Sequence, residues 1–461
     1  MFARTIQQCC EITESRLRGD VPNDHVVQDV AIDSRHAGEG TLFFALPGAR
    51  THGIEFAVEA MRNGAVVITD EEAAAHWDGP LIVAEDPRLA LHQLALSNRR
   101  QSDALVIGIT GSVGKTTTRR LVTSVLSSVH EGIQSPANYN NELGVPLSVL
   151  EIEDDIEFAS IELGARQPGD LRFLCQIAEP EFGVVTRIAP SHLASFESIE
   201  EITATKRELV ESLGSDGIAF LNADDPRVLS MRNSTHARVV TYGQADDADV
   251  RLSLIDTSNT QLVVRVGTID YRVPVCGAHY VDAIGASLAV AEELGLSANE
   301  IQQGFDQFKA APGRTALQVA NGIEVIDDTY NANPASVQAA IRLLSDWRTA
   351  GHRILVLGDM LDLGERADEL HYAMGILMAR ASIDHAVAYG RHARDVADGF
   401  VSSGGSLSRI SVFEDESTLM AVLDCLVSSG DALLVKGSRG MAMERIVAGL
   451  QAENSEMRRA A

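Results

Sequence analysis

The most constraining feature of the chain is Gly111-Ser112-Val113-Gly114-Lys115-Thr116-Thr117, between the apolar run Leu105 to Ile109 and the helical spacing of Leu121, Val122 and Val125. Strand, glycine turn and helix start follow one another, which is the order of a crossover in a parallel sheet. Such a turn cradles anions, because the N–H groups opening a helix and the helix dipole both face phosphate. Gly111, Ser112, Val113, Gly114, Lys115, Thr116 and Thr117 are therefore the expected triphosphate contacts. Lys115 would be a cation near the β/γ-phosphates and Thr116 a Mg²⁺ ligand. The strict form of this P-loop has a glycine where Ile109 stands.

The rest of the chain continues the alternation. Its 461 residues exceed one core, and three domains are expected, at 1–102, 103–313 and 314–461. The first has strand patterns at 30–32, 42–46, 66–68 and 81–83, with helices at 56–62 and 89–96. The second adds strands at 158–163, 184–188 and 218–221 to the P-loop strand. Hairpin spacing at 250–255, 262–266 and 271–275 then predicts a small antiparallel insert, closed by a helix at 281–294. The third, with strands at 323–326, 354–357, 386–388 and 433–435, reads as a Rossmann-like doubly wound domain without GxGxxG. Its first helix has Asn333 as N-cap, Pro334 in the first position, and Val337, Ala340, Ile341, Leu344 and Trp347 on one face. The expected fold class is α/β throughout, ending in a frayed polar tail from 451.

A net charge of −27 argues against nucleic acid or an anionic membrane as a partner, and requires phosphates to be met by local cations. Five cysteines, at 9, 10, 175, 276 and 425, include no CxxC pair and fit a reducing cytoplasm. No apolar run approaches a membrane span, and the first twenty residues have no signal-peptide core, so a cytoplasmic enzyme is expected.

Three side chains in the second domain qualify for chemistry. Glu162 ends an apolar strand, where doubly wound sheets present ligands, and could reach Mg²⁺ beside Thr116. His192 follows the next strand, and Lys206 stands near the start of a helix. Each has an ordinary explanation alone: a loop histidine and a solvated surface lysine are common. Asp33-Ser34-Arg35 likewise reads alone as a turn with a solvated arginine.

Together these segments resemble the Mur ligase family. Thr110 to Thr117 is similar to its ATP-binding loop, which has this shortened glycine pattern. Asn138-Tyr139-Asn140-Asn141-Glu142-Leu143-Gly144-Val145-Pro146, Glu162-Leu163-Gly164-Ala165 and the His192 segment are similar to further blocks. Asp328 to Pro334, Leu357 to Glu365, His371 and Val435 to Met441 resemble the branch that adds D-alanyl-D-alanine to a UDP-N-acetylmuramoyl-tripeptide.

The resemblance implies ATP-dependent amide ligation through an acyl phosphate, serving cell-wall precursor synthesis. ATP and two Mg²⁺ sites are implied, with Lys115, Lys206 and His192 as catalytic residues. Thr116 and Glu162 would bind one Mg²⁺. His192 and a carbamylated Lys206 would support the other. Arg314, Asp328 and Asn331 would contact ATP from the third domain. Ser34 and Arg35 would bind the UDP-sugar peptide, and Lys436 and Arg439 the incoming dipeptide. Small-molecule substrates, no membrane insertion and a monomer complete the expectation.

Two blocks depart from the family pattern. Its Asp-Gly-His is here His52-Gly53-Ile54, and its Gly-x-His-Asn-x-x-Asn reads Gly277-Ala278-His279-Tyr280-Val281-Asp282-Ala283. Two ligase readings stay open: the D-alanyl-D-alanine-adding enzyme, or a paralogue joining another acid to another amine. A non-catalytic nucleotide-binding regulator predicts loss of Lys115, Glu162, His192 or Lys206, and all four are present.

Overall fold

The computed structural model describes residues 1–190 and 196–450. His192 and the tail from 451 lie outside the described residues. Among the described residues there are three large sheets, of five, nine and six strands, and a two-stranded pair of Arg4–Thr5 with Val26–Val27. Among the described residues no helix is long and apolar enough to cross a membrane.

The nine-stranded sheet holds the glycine loop. Parallel pairing runs from Gly132–Gln134 through Phe158–Glu162, Leu105–Thr110, Phe182–Val185, Ile218–Asn222 and Arg238–Gly243 to Val250–Thr257. From Leu105–Thr110 the chain first builds on one side and then crosses to Phe182–Val185 on the other. The loop therefore leaves its strand at the topological switch point, where open parallel sheets bind ligands. Helix Lys115–Leu126 packs Leu121, Val122 and Val125 against Ile107, Ile109, Val184 and Phe220.

The antiparallel segment is present as expected. Leu262–Val266 and Ile269–Val273 pair antiparallel beyond Val250–Thr257, so the central sheet carries them at its edge. Their inward residues Leu262, Val264, Tyr271 and Val273 share the core of Tyr242, Ile284 and Leu288. Burial against helix Ala298–Gln307, where Tyr271 meets Phe305 edge-on, gives those strands a reason to continue the sheet. Strand Arg238–Gly243 and helix Ala298–Gln307 escaped the sequence reading, although Ser297 and Glu300 form a capping box that announces the helix.

The five-stranded sheet is parallel over Asp29–Ala31, Thr41–Phe44, Val66–Asp70 and Leu81–Ala84, with Arg16–Arg18 antiparallel at its edge. Helix Pro87–Gln101 joins it to the nine-stranded sheet. Leu91 and Leu94 share one core with Phe44 and with Val106, Val149 and Ile161. Asn98 Nδ2 donates to the carbonyls of Val149 and Ile152, both at 3.0 Å. The chain boundary near 102 is thus no packing boundary.

The six-stranded sheet is doubly wound as expected, with Ala316–Ala320 antiparallel at one edge and Ile410–Phe413 parallel at the other. Asn333 caps helix Pro334–Asp346 by accepting from the Ser336 N–H. Trp347, expected on that helix's apolar face, stands one residue past its end. It is buried there with its indole N–H on Glu324, 2.8 Å away.

Candidate active site

The loop is shaped by two glycines and one threonine. A Cβ on Gly111 would lie 1.9 Å from Thr186 Oγ1, so only glycine fits. Gly114, with φ +85°, is the N-cap of helix Lys115–Leu126 and supplies no side-chain acceptor. The first-turn N–H groups, Thr117 among them, thus lack a capping side chain, as at an anion-binding helix start. The Thr186 hydroxyl donates to Val113 O at 2.6 Å, and Ser112 N–H to Arg187 O at 2.8 Å, tying the loop to the neighbouring strand end. The Ser112 hydroxyl is buried without a partner among the described residues, an orphan suited to a ligand oxygen.

Thr116 and Glu162 meet as the sequence suggests. Glu162 pairs in register with Ile109 on the adjacent strand, which puts its carboxylate beside the first helical turn. Its Oε2 accepts from Thr116 Oγ1 at 2.8 Å and its Oε1 from Asn140 Nδ2 at 2.8 Å. Arg119 lies 3.4 Å from the same carboxylate and is itself held by Gln134 and Ala137 O, at 3.2 and 3.0 Å. Arg119 and Asn140 carried no role in the sequence reading. Arg119 follows Lys115 by four positions and Thr116 by three, so helical spacing puts it on their face. Asn140 stood inside a recognised block without an assignment.

Lysines crowd this carboxylate. Lys115 Nζ donates to Gly111 O at 2.8 Å. Burial lowers its pKa, Glu162 opposes the shift and Arg314 adds to it. Lys206, the solvated surface residue of the ordinary reading, is 3% exposed. The helix begins earlier than expected, at Ile199 with Ser198 as its cap, so Lys206 falls in mid-helix on the inward face. Burial pushes its pKa down to about 7, and the positive charge of Lys115 adds to the shift, against Asp170, Glu208 and Glu162.

Residues of the third sheet's unit reach the same place. The Arg314 guanidinium lies 4.0 Å over the Tyr330 ring and donates to Thr116 Oγ1 at 2.9 Å, across 198 residues of sequence. Asp328 ends its strand and accepts from buried Lys436 at 2.6 Å, and Lys436 also donates to Asn331 O at 2.8 Å. Residues expected at two different ligands, Lys436 and Asp328, thus form one ion pair.

The remaining expected residues make their bonds elsewhere. Ser34 is buried and donates to Glu59 at 2.6 Å. Arg35 is exposed on Asp33, and its hydrogen bond holds the Asp33 carboxyl down to about 2. Arg439 is exposed and pairs with Glu444 at 2.9 Å.

Thr116 and Glu162 offer a hydroxyl and a carboxylate 2.8 Å apart, the hard oxygen donors Mg²⁺ takes. That donor set fits the ion; Arg119 and Arg314 bring positive charge to the same pair, which opposes a bare cation and favours one arriving with anionic phosphate oxygens. Together with the loop they can hold a polyphosphate and neutralise charge moving along it.

Comparison with known proteins identifies the family. Family models described as Mur ligase family, catalytic domain, Mur ligase middle domain, and Mur ligase, glutamate ligase domain match residues 26–99, 109–291 and 313–439. The UDP-N-acetylmuramoyl-tripeptide–D-alanyl-D-alanine ligase of Bacillus subtilis is 30% identical, over 97% of this chain and 98% of its own. A crystal structure of MurF from Acinetobacter baumannii superposes with a TM-score of 0.89 at 29% identity, over 98% of this chain and 99% of that one. MurF from Thermotoga maritima, solved in complex with ADP, gives 0.81 at 27% identity, over 94% and 99%.

Proposed function

The chain belongs to the Mur ligase family, and on that premise we propose that it is the ATP-dependent ligase joining D-alanyl-D-alanine to UDP-N-acetylmuramoyl-tripeptide. The observation that carries the reading is the meeting of Arg314 with Thr116 beside Glu162. A cation from the third sheet stands over the magnesium-type oxygens of the second, which suits transfer of a γ-phosphoryl group between two domains.

In this reading the tripeptide carboxylate attacks the γ-phosphorus of ATP. An acyl phosphate forms and the bond to the β-phosphate oxygen breaks to release ADP. The dipeptide amine then attacks the acyl carbon, loses a proton, and inorganic phosphate leaves. Mg²⁺, when bound, would neutralise charge on the β/γ-oxygens. Lys115 and the 111–117 loop hold the phosphates, and Thr116 with Glu162 would hold the ion. Arg314, at the same oxygens, stabilises charge on the transferring group. Asp328 and Asn331 orient the nucleoside end.

The resemblance adds a second Mg²⁺ site at His192 and a carbamylated Lys206. Lys206 fits that part, since a pKa near 7 leaves much of the amine neutral and nucleophilic. Ser34 and Arg35 serve the UDP-sugar end, in residues 1–102, and Arg439 the dipeptide end, in 314–461, where the resemblance also placed Lys436. Exposed Arg439 can turn to a carboxylate, whereas Lys436 acts by holding Asp328. The protein acts as a monomer, in the cytoplasm. The test is phosphate release from protein, ATP and Mg²⁺ with each substrate alone and with both. Release only with both is expected, and background release with both would remove the reading. Screening other acid and amine pairs for ADP formation then tests the paralogue.

A further inference from the structure

Tyr280 stands at one of the two positions where the family pattern has asparagine, and the ligation reading gives it no task. Its side chain lies at the crossing between the second and third sheets. The chain passes there through Pro312-Gly313-Arg314-Thr315. Thr315 has φ +51°, a left-handed conformation that a β-branched residue rarely adopts. Such backbone persists where its surroundings hold it.

The surroundings are specific. The Tyr280 hydroxyl lies 3.0 Å from Arg314 O, to which it donates, and 3.0 Å from Thr315 Oγ1. Cys276 Sγ donates to Thr315 O at 3.4 Å. On the other side, Gly313 N–H donates to Asp327 Oδ2 at 3.2 Å and Tyr330 N–H to Gly313 O at 2.9 Å. Tyr280 is 2% exposed, with Phe308 edge-on 6.5 Å away, so its hydroxyl depends on these partners for its hydrogen bonds. The carbonyl it grips belongs to the residue whose guanidinium reaches Thr116.

We infer that Tyr280 is a positioning residue for phosphoryl transfer: its hydroxyl fixes the 314–315 turn and so aims Arg314 at the phosphate site. The amide side chain expected at 280 is replaced by a longer one that spans to the interdomain strap. Arg314 is then held at both ends, by Tyr280 at its carbonyl and by Tyr330 and Thr116 at its guanidinium. The inference rests on the ATP-dependent ligation reading, in which Arg314 meets the transferring phosphoryl group.

The test is a double-mutant cycle on phosphate release, using ATP, Mg²⁺, the UDP-tripeptide and D-alanyl-D-alanine at saturation. Tyr280→Phe keeps the ring and removes only the hydroxyl. It should lower kcat roughly 10- to 100-fold, as a misplaced catalytic group does, and leave KM for the dipeptide unchanged. In an Arg314→Ala background the same change should cost less than about twofold, because the two residues act as one unit. Equal losses in both backgrounds would overturn the inference, as would unchanged kcat in Tyr280→Phe. If that variant fails to fold, Thr315→Gly removes the other hydroxyl while relieving the left-handed backbone, and the same cycle applies. Amide exchange at 314–316 reads the hold directly: faster exchange in Tyr280→Phe supports it and unchanged protection refutes it. A wild type without turnover would instead remove the ligation reading, with the exchange experiment still deciding whether Tyr280 fixes the turn.

Discussion

Replacing Lys206 by Met tests the central electrostatic argument, because it keeps an unbranched chain and removes the amine. Burial, with Lys115 close by, brings the Lys206 pKa from the ordinary 10.5 to about 7. At pH 7 roughly half of the amine is then neutral, against about one in 3000 for a solvated lysine. The unfolded chain regains the ordinary value, so between pH 7 and 10.5 it binds the proton that the folded protein has shed. Stability must therefore rise with pH through that window and lie flat below it. Between pH 7.5 and 9.0 this one group gives a gain of about 2 kcal/mol. Urea unfolding in CO₂-free buffer with chelator should show wild type gaining about that much more than Lys206→Met over the interval. Parallel stability curves for the two proteins would refute the buried, proton-poor lysine. In the proposed reading the same neutral amine attacks the carbon of CO₂ and gives up a proton to form the carbamate, so stripping CO₂ should lower turnover and bicarbonate restore it. In Lys206→Ala turnover should vanish, with short carboxylic acids restoring part of it. Full activity in that variant would sink the carbamate.

Glu162→Gln keeps size but turns one of the two accepting oxygens into an NH₂ donor, and it leaves buried Arg119 without its counter-charge. It should lose about 3 kcal/mol in urea unfolding, together with nearly all Mg²⁺-dependent phosphate release; unchanged stability would mean that Gln134 and Ala137 O alone satisfy Arg119. Lys436→Met should raise KM for ATP by about tenfold, the typical cost of one charge-assisted bond, and leave KM for the dipeptide alone, because Lys436 works through Asp328. A selective rise in the dipeptide KM would return Lys436 to direct contact with that substrate.

What could be read from the sequence was whatever depends on neighbours along the chain. The loop at 111–117, the Asn333 cap and the strand carrying Glu162 follow from local periodicity and turn chemistry, and the structure has each. Properties set by distant packing were hidden. Lys206 looked solvated because its helix opens a full turn earlier than the pattern suggested, which turns the residue inward, and because the charges that act on it there, Lys115 and Glu162, stand on another helix and a strand. For the antiparallel strands, hairpin spacing revealed the pairing but not which core the paired strands share. The Lys436–Asp328 pair spans 108 residues, and two separate motifs give no sign that their charges meet.

The departures from the family pattern are best understood through the same distinction between local and distant constraints. A chain with net charge −27 can hold a polyphosphate only where cations are fixed against that field. Lys115 is fixed by its own loop, which is why the loop was legible. Arg314 lies in the strap that leads into another sheet, and its position depends on what holds that strap, Tyr280, Asp327 and Tyr330. A change at 280 is therefore not a loss of one contact from a motif. It moves the burden of aiming a cation onto a residue whose significance appears only once the two sheets are seen together.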